Sequence, residues 1–388
     1  MAENTITGLV PDIYEALDVV SRELTGLIPA VTMSASSEMA EVGQNIRVDV
    51  EPAYAAGDNI TPAMVVPDPT GETSGYVDVT IANSKAYSFG FNGEDQKGLN
   101  TGPGYLSVRG NKIAQRIRRL VNDVETDIAA LQKTFSRAYG TPTTTPFGTA
   151  NDYTDASLAL KILKDNGAPG SENQMVLDTT AGANFVGKQS AVNAAGTDSI
   201  LRQGVLLDIA GMPIRESAQI QTQTKGAMAS ATTNNAGYAV GATVLTLATA
   251  GTGVVAAGDI ITIAGDTNKY VVTSVVFAGA NPAAGDTITI AAPGLRVAIA
   301  TAATAITVVG TSARNMLFNR SAIILAARAP ARPEEGDLAT DVQMVTDPRS
   351  GLTFEFSMYK GYRKVRYEAA LAWGVKNIKP EHTALLLG

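Results

Sequence analysis

Residues 107–139 read SVRGNKIAQRIRRLVNDVETDIAALQKTFSRAY. Apolar side chains recur at Ile113, Ile117, Leu120, Val124, Ile128, Leu131 and Phe135, spaced 4, 3, 4, 4, 3 and 4. That is an eleven-residue rhythm rather than the heptad of a left-handed coiled coil. The spacing predicts one helix over the whole stretch, about 50 Å long at 1.5 Å per residue, lying as a spine across a sheet. Gly102, Pro103 and Gly104 precede it and Gly140 follows. Arg109, Lys112, Arg116, Arg118 and Arg119 crowd its N-terminal half, where the helix dipole disfavours each exposed positive group by ~0.3–1 kcal/mol. Something must compensate. Acidic groups from an adjacent copy of the chain are the expected partners, with a plain solvated face as the alternative.

The acids are N-terminal. Between residues 1 and 41 stand Glu3, Asp12, Glu15, Asp18, Glu23, Glu38 and Glu41 against one base, Arg22. Pro11 at a first helical position and the stripe Ile13, Ala16, Leu17 and Val20 predict a helix over 11–25, stopped by Gly26. Next, Ile46, Val48 and Val50 alternate with polar residues, as do Val77, Val79 and Ile81, giving two strands. Between them, residues 51–75 are rich in Pro, Gly and Asp, including Asp58, Asp68 and Glu72. Such a loop holds too little apolar material to fold alone and is expected to lie on a neighbour.

On the C-terminal side, a Thr/Pro-rich connector leads to a short amphipathic helix over 154–165, a strand over 174–177 and a helix near 181–189, an α/β pattern. The apolar run 200–209 reaches a turn and strand at Gly211-Met212-Pro213-Ile214. From Lys225 to Gly310 the composition changes, and after Lys225 only Asp259, Asp266, Lys269, Asp286 and Arg296 are charged. β-Branched residues and Gly dominate, predicting short strands with tight turns in an inserted β domain. Within it, Gly258-Asp259-Ile260-Ile261-Thr262-Ile263 is echoed by Gly285-Asp286-Thr287-Ile288-Thr289-Ile290. An apolar strand is expected over 316–327, then an antiparallel pair over 352–358 and 365–375 that ends the chain.

The chain has 388 residues, more than one core usually serves. Charged residues make up only 17%, which points to surface covered by something other than water. A net charge of −7 carries no global basic footprint for nucleic-acid phosphates. The absence of Cys removes disulfides, thiolate nucleophiles and Cys-based zinc sites. The N-terminus lacks the pattern of a secretory signal. The window 288–309 holds Pro293, Gly294 and Arg296 and reads as strands, not a membrane span. A single His, His382, leaves little for a triad or a multi-His metal site and reads as a satisfied surface residue. Gly251-Thr252-Gly253 has no helix pattern after it and reads as a loop. The Gly-Asp pairs read as turns rather than calcium ligands. No catalytic residue, cofactor or metal is assigned, and a non-enzymatic role is expected.

The order of elements resembles the Hong Kong 97 fold of tailed-bacteriophage major capsid proteins. More narrowly it is similar to the P-twenty-two-like coat protein branch, which carries an inserted β domain. Leu371-Ala372-Trp373-Gly374-Val375-Lys376-Asn377-Ile378-Lys379-Pro380-Glu381 is similar to the end of that coat protein, and residues 116–130 to its spine helix. The resemblance implies an α+β fold: an N-terminal arm (1–45), an extended loop with flanking strands (46–100), and a spine helix (101–150). It further implies an axial, central α/β domain (151–224 and 311–345) interrupted by an all-β, barrel-like insertion (225–310), and peripheral strands to the C-terminus (346–388). It implies self-assembly into hexamers and pentamers of an icosahedral shell. Scaffolding and portal proteins would be partners, and packaged double-stranded DNA would be contacted non-specifically, with assembly in the host cytoplasm and residence in the virion. Arg109, Arg116, Arg118, Arg119, Asp12, Glu15, Asp18, Asp58, Asp68 and Glu72 are the intersubunit contact candidates. A nanocompartment shell of the same fold is the alternative, and a secreted β-rich surface protein a more distant one.

Overall fold

The structure, a computed structural model, describes residues 25–35, 39–51, 75–100, 104–149, 152–188, 208–209 and 211–388. The expected helix over 11–25, the loop between the first two strands and most of the apolar run 200–209 lie outside the described residues.

A 3-10 turn (Ile28–Ala30) opens the described chain, followed by β1 (Thr32–Ala35), the hairpin strands β2 (Asn45–Val50) and β3 (Gly75–Thr80), and β4 (Asn83–Asn92). Two helices come next, α1 (Gly93–Asn100) and α2 (Tyr105–Ala130), then β5 (Arg137–Gly140). The middle of the chain forms α3 (Thr154–Asp165), β6 (Asn173–Leu177), α4 (Thr179–Lys188), β7 (Ile214–Glu216) and β8 (Thr222–Gln223). The Gly-rich stretch supplies β9 (Ala231–Thr232), β10 (Val244–Thr246), β11 (Ile260–Ile263), β12 (Lys269–Val276), β13 (Thr287–Ile290) and β14 (Ala305–Val308). The chain closes with β15 (Ser312–Asn319), β16 (Ile323–Arg328), β17 (Ala339–Thr346), β18 (Thr353–Gly361), β19 (Lys364–Asn377) and β20 (Thr383–Leu387). The fold is α+β.

One sheet runs β1-β16-β19-β18-β17, with β4 on the other edge of β19. Helix α2 lies across it. Ile113, Ile117, Leu120, Val124 and Ile128 fall on one helical stripe and are fully buried in a cluster with Phe354, Phe356, Leu371 and Trp373. Each such side chain contributes about 1.5–3 kcal/mol on leaving water, so this stripe fixes the helix to the sheet.

Helix α2 is shorter than the periodicity predicts. It ends at Ala130, tightens into a 3-10 turn (Leu131–Thr134), and the chain then extends as β5. Thr134 closes the turn by donating its hydroxyl to the Leu131 carbonyl at 2.7 Å. From Arg137 onward, two ladders outcompete the helix: β5 pairs parallel with β20 and antiparallel with β12. Helical spacing from Leu131 to Phe135 is thus real in sequence but overridden by strand pairing.

The second sheet runs β7-β6-β15-β20-β5-β12-β11-β14-β9, with β8 on β15 and β13 between β10 and β12. Strands β6 and β20 are buried at every residue, as expected of strands covered on both faces. α3 and α4 pack there through Leu160, Leu163 and Phe185 against Met175 and Leu386. Two expectations are corrected here. The apolar stretch 316–327 is not one strand: β15 and β16 belong to different sheets. Between them Asn319 accepts a hydrogen bond from the Ser321 amide and starts a 3-10 turn. Nor do the paired strands β18 and β19 end the chain, because β20 follows in the second sheet.

The Gly-rich stretch has its own core, with Leu245, Ile261, Tyr270, Val272, Ile288 and Leu295 buried together. Its sheet is nevertheless continuous with the second sheet through β12 and β5, in the register Lys269↔Ala138 and Tyr270↔Arg137. Arg137 reinforces the seam, donating to Asn268 at 2.7 Å and Asn166 at 2.8 Å. The repeated Ala-Ala-Gly-Asp turns are identical in construction. Gly258 and Gly285 both take φ 94°, a left-handed conformation that glycine adopts without a Cβ penalty. Asp259 accepts from the Ala256 amide and Asp286 from the Ala283 amide, both at 2.8 Å. Their carboxylates are consumed by turn chemistry. Gly251 and Gly253 lie in a loop bridged to Ala229 through Thr252.

His382 is not a satisfied surface residue. It is half-buried, and its Nδ1 has no hydrogen-bond partner among the described residues. Burial pushes its pKa down.

Candidate assembly surfaces

The strands β2 and β3 form a two-stranded sheet of their own, outside both larger sheets. Their pairing sets Ile46 against Val79, Arg47 against Asp78 and Val48 against Val77. Alternation sends Val79 inward, where it is buried with Ile324 and Ala326, and leaves Asn45, Arg47 and Asp49 exposed. Among the described residues, the outer-face side chains pair with one another. Arg47 pairs with Asp78 at 3.3 Å and its guanidinium lies 3.7 Å from the Tyr76 ring centre. Such exposed ion pairs contribute ~0–1 kcal/mol, and an isolated two-stranded hairpin is marginal in water. Tyr76 remains 55% exposed and Val42, at the root, 60%.

The root is fixed by a glycine. A Cβ at Gly374 of β19 would lie 2.0 Å from the Thr80 carbonyl oxygen, and Lys376 donates to the Asp78 carbonyl at 2.8 Å. Glycine inside a strand marks such a close backbone approach. Gly374→Ala is expected to cost about 1–3 kcal/mol through overpacking and to lift the hairpin off β19. Urea unfolding and proteolysis between β2 and β3 would read the two effects.

The arginines of α2 find partners within the chain. Arg109 stands 5.5 Å over the Tyr105 ring, Lys112 4.7 Å over Phe91 and Arg116 5.2 Å over Phe89. Arg119 pairs with Asp123 at 3.3 Å, one turn along. Of the four candidate arginines, Arg119 is exposed, and Arg109, Arg116 and Arg118 are half-buried. The Tyr105 ring on α2 itself, two ring faces of β4 and an i,i+4 acid therefore meet these cations within the chain. Asp12, Glu15, Asp18, Asp58, Asp68 and Glu72 lie outside the described residues.

Sequence reasoning missed the carboxylates that pin α2. At 100° per residue, Asp123 and Asp127 share one flank and Glu125 faces the other. Asp127 accepts from the Trp373 indole at 2.7 Å and the Asn83 amide at 2.8 Å. Asp123 accepts from the Tyr87 hydroxyl at 2.7 Å and Lys85 at 3.2 Å. Glu125 is fully buried. It accepts from the backbone amides of Leu27 (3.0 Å) and Ile28 (2.8 Å) and from the Ser217 hydroxyl (2.8 Å). It thereby ties the entering N-terminal segment to the spine helix and to the strand region after β7. Burial pushes the Glu125 carboxyl up, against the opposing pull of those donors. A signal existed, because Glu125 lies only about 40° from the apolar Val121 on the helical wheel, at the edge of the buried stripe.

Strand β19 joins two separate exposed regions. Gly374 meets the hairpin root, while Lys364 starts the strand at its other end, about 33 Å away at 3.3 Å per residue. At that far end Leu338 and Tyr362 are each 90% exposed. Among the described residues no group of three or more His, Cys, Asp or Glu is placed to hold a metal ion, and no helix is long and apolar enough to cross a membrane.

No sequence-family profile matches the chain, and no curated protein does. Solved structures do. The chain is similar to a structure from Mycobacterium phage Che8 (13% identity, covering 95% of this chain and 93% of that one, TM-score 0.47). It is also similar to the capsid structure of cyanophage P-SCSP1u (10% identity, 95% and 90% covered, TM-score 0.46). A third is the capsid of a native GTA particle (10% identity, 100% and 99% covered, TM-score 0.44). The chain is similar to phage capsid structures along nearly its whole length.

Proposed function

We propose that this chain is the major capsid protein of a tailed phage, a non-enzymatic subunit that assembles with copies of itself into an icosahedral shell around double-stranded DNA. The observation that carries the reading is the hairpin β2/β3, a separate two-stranded sheet that packs on β16 and β19 by its inner face and leaves Asn45, Arg47 and Asp49 of its outer face exposed. A second exposed apolar region lies at the opposite end of the same long strand. Exposed surfaces at both ends of a rigid strut give each copy more than one place to meet a neighbour, and head-to-tail contacts close into rings when the rotation allows. The aliphatic stripe of α2 and its carboxylate pins keep the strut stiff, so strain at one end reaches the other.

In this reading residues 1–45 form the arm, 46–100 the extended loop and 225–310 the inserted β domain. Acids of a neighbouring arm or loop add to the partners that the α2 arginines already have within the chain. Scaffolding and portal proteins belong to the same assembly, which forms in the host cytoplasm and ends as the virion shell. Negative-stain microscopy and sedimentation of the purified chain test it. Closed particles or curved sheets are expected; a chain that stays monomeric at high concentration, with or without scaffold, would refute it.

A further inference from the structure

The end of the first sheet remote from the hairpin carries two loops of opposite charge. The segment before β17 presents Glu334, Glu335 and Asp337, all exposed, next to Leu338. It is held in shape rather than free. Asp337 accepts from the Ala339 amide at 2.7 Å and the Tyr359 hydroxyl at 3.2 Å, while Arg332 turns inward to Glu355 at 2.7 Å and Ser357 at 2.6 Å. The turn between β18 and β19 presents Lys360, Arg363 and Lys364, likewise exposed, beside Tyr362. These three cations rim a cavity of about 350 Å³ whose floor is Phe91 and Val365, with Gln96 of α1 at its side. None of Lys360, Arg363, Lys364, Glu334 and Glu335 makes an ion pair among the described residues.

Two further facts bear on this end. Arg363 holds φ 56° in the two-residue turn between the paired Gly361 and Lys364, where positive φ is the ordinary conformation. Glycine would adopt it without a Cβ penalty. The acidic loop lies beyond β18 from β19, and the cavity opens on the β4 side of β19, so the two patches sit on opposite edges of one sheet end. An exposed leucine flanked by acids matches an apolar floor rimmed by bases.

We infer that Glu334, Glu335 and Leu338 of one copy dock into the Phe91–Lys360–Arg363–Lys364 cavity of the next, making a head-to-tail contact at this end of the sheet. The inference rests on the shell-subunit reading and names one of its contacts. The leucine enters the apolar floor, the two glutamates meet the three cations, and Tyr362 covers the seam. Because the ion pairs form at a rim still open to solvent, assembly weakens as salt rises.

Two charge-reversed chains test the contact, one carrying Glu334→Lys and Glu335→Lys, the other Lys360→Glu and Lys364→Glu. Sedimentation of purified protein gives the critical concentration for assembly, and circular dichroism checks the fold. Each reversal alone is expected to raise the critical concentration by about tenfold or more, since like charges meet across the contact, and all four substitutions together are expected to restore it. Arg363→Gly is expected to raise the melting temperature of the unassembled chain while also raising the critical concentration, a pairing that a purely structural arginine does not give. Wild-type particles whose reversed variants assemble equally well overturn this contact and leave the shell reading intact. Reversals that disrupt assembly without mutual rescue also overturn it. A wild-type chain that never assembles overturns both.

Discussion

Glu125→Ala is expected to cost the folded chain about 3–5 kcal/mol, because three buried neutral donors lose their acceptor. The backbone amides of Leu27 and Ile28 and the Ser217 hydroxyl all give their hydrogen bonds to this one carboxylate. Alanine leaves those donors buried without an acceptor, at about 1–3 kcal/mol each before relaxation. Urea unfolding measures the loss. Glu125→Gln keeps one acceptor and should fall between. The pH dependence has a definite sign. Burial raises the carboxyl above its unfolded value, so the folded state binds the proton more tightly. The stability gained from that proton is full below about pH 4.5 and fades as pH rises through the raised value. The gap between wild type and Glu125→Gln should therefore change across this interval. A flat difference from pH 4 to pH 8 would mean that the carboxyl is not desolvated as the geometry requires. The consequence for assembly is specific: with the clamp gone, the N-terminal segment loses its fixed exit from the body, and reach to a neighbour becomes imprecise.

Trp373→Ala is expected to cost about 3–5 kcal/mol, the usual range for emptying a large aromatic site. Trp373 is the largest fully buried side chain and sits where α2 crosses β19. Its indole nitrogen is held by Asp127 at 2.7 Å. Trp373→Phe separates the two contributions, because it retains most of the packing and removes only the hydrogen bond, a loss of roughly 1.5–3 kcal/mol for a bond to a charged group. Thermal unfolding of the three proteins resolves them. If Phe were as damaging as Ala, the hydrogen bond rather than the packed ring would be holding the helix to the sheet. Either alanine substitution removes a large fraction of the 5–15 kcal/mol by which domains are stable, so both should reduce the yield of assembled particles at 37 °C more than at 20 °C.

Much of this architecture is legible in the residues themselves. Helix α3 begins and ends where Thr154 and Gly167 place it, and the alternation at Phe354, Phe356 and Met358 puts those side chains together in the core under α2, while Glu355 and Ser357 between them are buried too. What was not legible depends on pairing between distant segments. The nine residues after Ala130 carry helical spacing, yet β12 and β20, more than a hundred residues away, draw them into a turn and a strand. The continuity of the Gly-rich stretch with the central sheet rests on two residue pairs, Lys269 with Ala138 and Tyr270 with Arg137, which no local pattern announces. At the candidate surfaces, an excess of cations on α2 was visible, but the rings of Phe89 and Phe91 under Arg116 and Lys112 stand on β4 and only the fold brings them near. Asp127 looked like one more polar position of an amphipathic helix, whereas its partner, the Trp373 indole, lies 246 residues on.

The central claim is that the hairpin β2/β3 is completed by a sister molecule. Hydrogen exchange at its amides, in Asn45–Val50 and Gly75–Thr80, measured in the unassembled chain and again in purified particles, tests it most directly. The account expects fast exchange in the free chain, apart from the root at Val79, and strong protection in the particle. Equal protection in both states would contradict it, because the hairpin would then be stable without a neighbour.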